Sequence, residues 1–342
     1  MEKEYKFVIA TQCATFNQAE YILDTLQGFT FQSVHFPTVY CIVDDASTDG
    51  EQEILEDWAN NNLLPVNEGT LWHKRPYGRL AVGQLENNLF ATFVVLLLYV
   101  NHSGPELNKK KYSYLGPWCN NAKYIAFCEG DDFWTDPCKL EKQVDILDSN
   151  PDITLVYSSF TTVDAKGEVI RRPLHEGFKK KSISGETLFL LLRSNFIVTL
   201  TVCMRSSLLQ ETVFLRCPIR MDWSIFLVAA MYGNLCYLPV EMGSYRKVSG
   251  SMVNSHRELV DERGRIIKAY YSEKYLEKHY KTISFSQHIR ILCSIADTCI
   301  EDRNWKLIKK SIFRPLFFII FVLKFVQHSI RKCVKIINGM FK

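Results

Sequence analysis

Short apolar runs alternate with amphipathic stretches along the first 160 residues. The runs predict strands over Phe7–Ala10, Thr38–Val43, Tyr124–Cys128 and Thr154–Tyr157. The stretches predict helices over Ala19–Gly28, Glu51–Asn60 and Asp136–Ser149, because apolar residues recur there at helical spacing. This alternation predicts an α/β fold with a mostly parallel, twisted sheet flanked by helices. Such a sheet binds ligands beyond the carboxyl ends of its strands.

The segment Leu63–Asn121 interrupts this alternation, and we interpret it as an elaboration of the same domain. Its apolar run Leu89–Val100 is predicted to be a helix, and Lys109–Lys111 form a basic loop. Beyond residue 157 the pattern predicts a helix, a strand, a helix and a polar helical region, over Gly185–Arg193, Val198–Met204, Trp223–Tyr232 and Leu259–Asp302. We therefore predict one domain over residues 1–258, with halves 1–150 and 151–258, a helical extension over 259–310 and a basic tail over 311–342.

Two acidic clusters, Asp44–Asp49 and Glu129–Asp132, follow two of the predicted strands. In extended backbone, residues i and i+2 face the same side, so Glu129 and Asp131 can point together into the crevice while Gly130 leaves room for a ligand. Paired carboxylates suit Mg²⁺ or Mn²⁺, which fills its other positions with phosphate oxygens and water. The alternative is that the first cluster caps a helix and the second forms a turn.

The residues around these clusters resemble glycosyltransferase family 2. The resemblance is carried by Ala14–Gln18, Val43–Gly50, Tyr124–Trp134, Lys139–Gln143, Met221–Trp223 and Tyr245–Arg246. It extends over about the first 255 residues, and Tyr124–Trp134 is its most specific part. The resemblance implies a GT-A, Rossmann-like fold, a nucleotide diphosphate-sugar donor and inversion at the anomeric carbon.

Carried over position by position, the resemblance implies a donor pocket and a metal site. The residues expected to bind the nucleotide-sugar are Thr15, Asn17, Asp44, Asp45, Asn88, Asp132 and Arg246. Asp131 is expected to bind the metal directly, and Glu129 either directly or through water. Asn88 has the alternative of starting a helix, and Arg246 that of a packed strand end with a surface ion pair rather than a bidentate phosphate contact.

Asp222 stands where the family keeps the carboxylate that accepts the proton of the acceptor hydroxyl. It also directly precedes an apolar helix, where Asp is a common N-cap, and the two roles are compatible. The family often has His soon after the pair Tyr245–Arg246, and Val248 departs from that pattern.

The carboxyl-terminal part of the chain is strongly basic. From Lys306 onward it has nine Lys or Arg and no Asp or Glu, whereas the rest has 32 basic and 37 acidic residues. Eight consecutive apolar residues, Leu316–Leu323, are too few for a membrane span, which needs about 20. Lys324, His328, Arg331 and Lys335 form one polar stripe, which is typical of a basic helix lying on an anionic membrane. The alternative is a terminal helix docked on the body or on a second subunit.

Other features narrow the setting. The eleven cysteines are scattered without a C-x-x-C pair, and the charged segment Met1–Lys6 predicts no signal peptide, so we expect reduced thiols in the cytoplasm, at the inner face of the membrane. Nothing in the charge pattern indicates a nucleic-acid partner. We therefore predict sugar transfer to a glycan or lipid-linked acceptor in surface polysaccharide synthesis. The alternatives are a catalytically inert partner in a membrane glycan-assembly complex, and a nucleotidyltransferase, although the Gly-rich basic loop usual in that class is not found.

Overall fold

A computed structural model describes residues 4–66, 69–102, 111–171, 195–248, 257–279 and 319–325, with short pieces at 188, 191–192, 289, 291–293, 295–296 and 300. The chain forms two compact units that interleave along the sequence. The first comprises 1–187, 196–210 and 232–249, and the second comprises 188–195, 211–231 and 250–342. The domain boundaries at residues 150, 258 and 310 stay a prediction.

The first unit is built on one large sheet. Its strands are β1 Phe7–Thr15, β2 Thr38–Asp44, β3 Leu63–Pro65, β4 Trp72–Arg75, β5 Gly78–Leu85, β6 Asn88–Leu98, β7 Ala122–Phe127, β8 Phe133–Trp134, β9 Ile153–Val163, β10 Val169–Arg171, β11 Val202–Arg205 and β12 Asn234–Arg246. The helices of this unit are α1 Ile22–Thr30, α2 Glu51–Asn62, α3 Gly116–Cys119 and α4 Lys139–Ser149.

The described strands pair in the order β3-β5-β6-β2-β1-β7-β11-β9-β12-β8, with β4 beside β5 and β10 beside β9. The four central strands β6, β2, β1 and β7 are parallel to one another, and Thr15 at the end of β1 lies opposite Asp44 at the end of β2. Antiparallel pairs extend the sheet on both sides. The predicted α/β class, a sheet with parallel strands flanked by helices, is confirmed.

The core lies against this central part of the sheet. All seven residues of β2 are buried, as expected of a strand covered on both faces. Helix α1 packs its apolar side against the sheet, where the Phe29 ring stacks on Tyr40 with 5.2 Å between ring centroids and Tyr40 stacks on Phe93 at 4.7 Å. The carboxyl ends of β1, β2 and β7 are thereby fixed by one continuous apolar layer.

The prediction of a helix over Leu89–Val100 is wrong, because this run forms β6. Leu89 and Phe90 are exposed, and every residue from Ala91 to Leu98 is buried. A central parallel strand is apolar on both faces and loses the alternation that distinguishes a strand, so its run of apolar residues resembles a buried helix. The predicted strand over Val198–Met204 is shorter, because residues 199–201 form a 3₁₀ turn before β11.

Several predicted features fall mostly outside the described residues. These are the helix over Gly185–Arg193, Lys109 and Lys110 of the basic loop, and the tail apart from residues 319–325, which are helical. Nine cysteines lie in the described part; none of these forms a disulfide there, and six are buried. The reduced state stays a prediction.

The described elements of the second unit are helical. They are α5 Thr212–Leu215, α6 Asp222–Tyr232, whose last residue belongs to the first unit, and α7 Arg257–His279. Trp223 connects α6 with α7 and with Leu191, because its indole N–H donates to the Leu191 carbonyl at 2.8 Å and its ring lies where a side chain on Gly264 would begin. Across the described ranges, no helix combines the length and apolarity needed to cross a membrane.

Candidate active site

Two acidic turns meet at the carboxyl end of β1. The Asp45 N–H donates to the Thr15 carbonyl at 3.0 Å, and the Gly130 N–H donates to the Ala14 carbonyl at 3.2 Å. One turn therefore continues β2 and the other continues β7, on either side of β1. The structure brings together the two clusters that the sequence placed about 85 residues apart.

The side chain of Asp44 stabilises the first turn. It is fully buried, and its Oδ1 accepts hydrogen bonds from the Ser47 N–H at 3.1 Å and from the Gln52 amide. Its Oδ2 is buried without a hydrogen-bond partner in the described part of the chain. Burial raises the pKa of Asp44 above its ordinary value. These contacts are those of a turn-forming aspartate, whereas the alternative left open for this cluster was a helix cap. Donor binding by Asp44 stays a prediction.

Asp45 points to a different set of groups. Its carboxylate accepts a hydrogen bond from the His102 N–H at 2.7 Å and pairs with the Lys111 ammonium at 3.0 Å, and its carbonyl accepts from the Asn101 amide. Both Asp45 and Lys111 are buried. Sequence reasoning missed Lys111 and His102 as neighbours of Asp45, because no spacing rule connects residues 57 and 66 positions apart.

Glu51 joins the two loops beside this site. Its carboxylate accepts hydrogen bonds from the Thr15 hydroxyl, from the Gln18 N–H at 2.9 Å and from the Ser47 hydroxyl at 2.9 Å. Glu51 is fully buried, and burial raises its pKa. Sequence reasoning also missed Glu51, although its place in the first turn of a helix was a usable signal.

Asn17 connects the same loops from the exposed side. Its N–H donates to the Ser47 hydroxyl at 2.8 Å, and its side-chain oxygen accepts from the Thr48 N–H at 2.8 Å. The backbone of Asn17 is left-handed, with φ of 53°, a conformation that Asn adopts more readily than most residues. Asn17 and Thr15 therefore lie at the edge where the sequence predicted them, with Thr15 buried and Asn17 exposed.

The second turn, Glu129–Asp132, presents three carboxylates at three depths. Glu129 is exposed, Asp131 is half-buried and Asp132 is buried. The Thr25 hydroxyl lies 3.0 Å from the Gly130 carbonyl and 2.6 Å from the Asp132 carbonyl. Through Thr25, helix α1 therefore stabilises the backbone of the turn.

Packing within the protein leaves no room for a side chain at position 130. A Cβ at this position would lie 2.2 Å from the Thr15 hydroxyl and 2.5 Å from the Gln18 side-chain oxygen. The predicted free space at Gly130 is therefore filled by the loop that follows β1.

The carboxylates of this turn are held at an electrostatic cost. Burial raises the pKa of Asp131, and burial together with the Asp131 charge raises the pKa of Asp132 well above its ordinary range. A divalent cation would offset this cost, and oxygen ligands are those that Mg²⁺ and Mn²⁺ prefer. Over the described ranges, no three His, Cys, Asp or Glu side chains converge on a metal position. The donor set present is two carboxylates, Glu129 and Asp131, and it fits a cation whose other ligands come from a diphosphate.

The structure does not bring Asn88 to this edge. Asn88 begins β6, which runs parallel to β2 with Ala91 opposite Thr38 and Leu97 opposite Asp44. It therefore lies at the amino end of β6, at the other edge of the sheet, where its side-chain oxygen accepts from the Phe90 N–H at 3.1 Å. The structure therefore gives no support for Asn88 as a residue that binds the donor or as the start of a helix.

Arg246, at the end of β12, also contacts the second turn. Its N–H donates to Asp132 Oδ1 at 2.8 Å, and its guanidinium donates to the Asp131 carbonyl, the Ala165 carbonyl and the Asp24 carboxylate. The side chain is 2% exposed. Arg246 is thus a packed strand end, as one of the two alternatives had it, and it forms an ion pair with Asp24, whose side chain is 53% exposed. The phosphate contact stays a prediction.

Asp222 belongs to the second unit. It is the first residue of α6; its Oδ1 accepts from the Trp223 N–H at 2.7 Å, and its Oδ2 accepts from the Asn195 amide at 3.1 Å. It is half-buried. Asp222 is the first residue of the helix, and the Trp223 N–H is not the second or third helical N–H that an N-cap side chain binds. The N-cap role and the role as a base both stay predictions.

No protein-family model matches the chain. Uncharacterised proteins of Mycobacterium bovis and Mycobacterium tuberculosis are 29% identical over 235 residues, which are 68% of this chain. The chain spans 57% of the length of these relatives.

The comparison with solved structures finds two further similar proteins. TarS of S. aureus, residues 1–349 in complex with UDP, has 15% identity and a TM-score of 0.51, with 95% of this chain and 91% of that chain covered. A mannosyltransferase of Pyrobaculum calidifontis, in complex with GDP-Man and Mn²⁺, has 12% identity and a TM-score of 0.46, with the same coverage of 95% and 91%. The likeness to TarS shows a common fold.

Proposed function

We propose that the protein is an inverting glycosyltransferase that moves a sugar from a nucleotide diphosphate-sugar to a hydroxyl of a glycan or lipid-linked acceptor. The observation that carries the proposal is the pair of acidic turns on either side of the β1 end, hydrogen-bonded to the Ala14 and Thr15 carbonyls. Their position beyond the carboxyl ends of parallel strands is where open α/β sheets bind ligands. The fold shared with TarS, which was solved with UDP, supports the same assignment.

In this proposal each turn has its own task. Asp45 and Lys111 lie beside the nucleoside, and the Thr15–Asn17 loop lines the same pocket. Glu129 and Asp131 hold Mg²⁺ or Mn²⁺, which would act as a Lewis acid on the phosphate oxygens of the departing nucleoside diphosphate. Asp132 keeps its buried carboxylate on the Arg246 N–H and so fixes the turn.

Asp222 is the proposed base. Asp222 would accept the proton of the acceptor hydroxyl as that oxygen attacks the anomeric carbon from the face opposite the leaving group. A carboxylate already held by Asn195 and by the helix start keeps one orientation, which a general base requires.

The direct test is hydrolysis of donors in the absence of acceptor. We expect the full chain with Mn²⁺ to release free sugar from at least one member of a panel of UDP-, GDP- and dTDP-sugars, and we expect Asp131→Ala to abolish this release. Asp148→Ala is the control, because Asp148 is a half-exposed carboxylate that pairs with Lys123 at the amino end of β7. Equal hydrolysis by the wild type and Asp131→Ala would refute the assignment of the turn.

The same panel separates the alternatives. Nucleotide binding in calorimetry without any turnover, with or without acceptor extracts, would favour an inert partner of a glycan-assembly complex. Release of pyrophosphate from a nucleoside triphosphate and a sugar phosphate would favour a nucleotidyltransferase.

The place of action is a separate part of the proposal. We propose that residues 311–342 hold the protein on the anionic inner face of the cell membrane. Ile319, Val322 and Leu323 of the described helical piece are exposed on one side of the helix, which suits an apolar face that meets lipid. Deleting Ile312–Lys342 should move the protein from vesicles containing anionic lipid to the soluble fraction. Unchanged partitioning would contradict the membrane role and would favour docking on protein.

A further inference from the structure

The guanidinium of Arg246 is committed to acceptors within the protein. Its Nε donates to the Asp131 carbonyl at 3.0 Å, its Nη1 to the Ala165 carbonyl at 3.0 Å and its Nη2 to Asp24 Oδ2 at 2.6 Å. The plane also lies 4.7 Å from the centre of the Tyr21 ring. All three guanidinium nitrogens thus have a protein acceptor, and the group is oriented by contacts on several sides.

Arg246 and Thr25 of α1 contact different carbonyls of the second turn. Thr25 reaches the Gly130 and Asp132 carbonyls, whereas Arg246 reaches the carbonyl between them and also holds the Asp132 carboxylate through its backbone N–H. Consecutive carbonyls are therefore fixed alternately from the helix and from β12. The position of the Asp131 carboxylate depends on both.

Charge also favours this arrangement. Arg246 places its positive charge beside the buried turn, where its guanidinium contacts the Asp131 carbonyl and its backbone N–H contacts the Asp132 carboxylate. A buried arginine itself needs a carboxylate that fixes its orientation. Asp24 provides it from the outer side of α1, where its side chain is about half exposed.

We propose that Arg246, oriented by Asp24, is the positioning residue of the metal-binding turn, and that it does not bind the donor phosphates. This inference rests on the proposed function, because it assigns Arg246 a role towards the cation held by Asp131. It replaces the phosphate contact that the sequence suggested for Arg246.

The mild variant Asp24→Asn tests the inference, because it keeps the shape of the half-exposed side chain and removes its charge. Asp148→Asn is the matched control: Asp148 is 44% exposed against 53% for Asp24, and it pairs with Lys123. Arg246→Lys is a second variant that keeps the charge and loses the planar fork.

The first measurement needs no metal. Hydrogen exchange by mass spectrometry on a peptide containing Glu129–Phe133 should be roughly three- to tenfold faster in Asp24→Asn than in the wild type, because a contact that orders the turn is weakened. Asp148→Asn should leave this peptide unchanged. Equal exchange in Asp24→Asn and the wild type would overturn the positioning role of Arg246. This result does not depend on whether the protein has transferase activity.

The second measurement distinguishes positioning from phosphate binding. Mn²⁺ titrations in the presence of the nucleoside diphosphate that the wild type binds should show about a tenfold weaker Mn²⁺ affinity in Arg246→Lys, the size typical of a lost supporting contact. The kcat for donor hydrolysis at saturating Mn²⁺ should fall by a smaller factor than the Mn²⁺ affinity.

Nucleoside diphosphate binding in EDTA should be unchanged in Arg246→Lys. A selective loss of binding in EDTA would mean that Arg246 contacts phosphate and would overturn the inference. Faster exchange of the turn with unchanged Mn²⁺ affinity would overturn it as well. If the wild type binds neither Mn²⁺ nor nucleotide, the proposed function fails. The exchange measurement still decides whether Arg246 and Asp24 order the turn.

Discussion

Lys139 is a fully buried lysine whose titration should affect stability. It begins α4, its ammonium donates to the Gln143 side-chain oxygen at 2.7 Å, and it lies 4.3 Å from the centre of the Trp134 ring. Burial lowers the pKa of Lys139 from 10.5 to about 8, although Cys203, Cys128 and Asp136 act in the opposite direction. The folded state therefore disfavours the charged form that the unfolded chain carries.

The sign follows from the two pKa values. Because the folded pKa lies below the unfolded one, the cost is fully present below pH 8 and disappears as the pH rises towards 10.5. At about 1.4 kcal/mol per pKa unit, the cost is ~3 kcal/mol at pH 7 and ~1.4 kcal/mol at pH 9.5. The difference between these two pH values is about 2 kcal/mol.

Urea unfolding of Lys139→Met and the wild type, under reducing conditions at pH 7 and pH 9.5, measures this difference. The wild type should gain ~2 kcal/mol relative to the variant over that interval, whatever constant amount Lys139→Met gains or loses through the Gln143 contact. Lys123→Met is the control and should show no such change, because the Asp148 hydrogen bond raises the pKa of the exposed Lys123. A constant difference between Lys139→Met and the wild type at both pH values would refute the reasoning.

Two further predictions concern the turns themselves. Gly130→Ala places a methyl group 2.2 Å from the Thr15 hydroxyl, so urea unfolding should show a loss of ~1–3 kcal/mol, whereas Gly116→Ala, whose methyl meets only the end of the Asn120 side chain, should stay within ~0.5 kcal/mol of wild type. Equal effects of the two substitutions would contradict the steric argument. Lys111→Met leaves the buried Asp45 carboxylate without its positive partner and should lower the free energy of unfolding by ~3–5 kcal/mol in the same assay. The double variant Lys111→Met, Asp45→Asn should regain most of this loss. A double variant as unstable as the single one would show that the ion pair is not the cause.

The sequence predicts best where local pattern and tertiary environment agree. The strand that ends at Asp44 and the turn at Glu129–Asp132 follow from apolar runs that stop at polar residues. β1 continues beyond the predicted Phe7–Ala10 as far as Thr15, and the sheet brings these ends to one edge. The same rule fails for β6, because burial on both faces removes the periodicity on which it depends.

Side-chain partners were less predictable than backbone positions. The pairing of Asp45 with Lys111 and that of Arg246 with Asp24 join residues 66 and 222 positions apart. A single sequence carries no signal for such contacts, since they depend on how the strands are ordered in space. The buried Glu51 is an intermediate case, because its place at a helix start was visible and its bond to Thr15 was not.

The strand order also has a consequence for synthesis of the chain on the ribosome. Among the described strands, β8, which directly follows the Glu129–Asp132 turn, pairs only with β12, which ends at Arg246. At ~5–20 residues per second, β12 is complete roughly 6–23 s after that turn has been translated. During this interval the nascent chain carries its acidic turn without the strand that closes it. If the turn binds a cation as proposed, binding would be a late event in maturation, after nearly the whole sheet has been made.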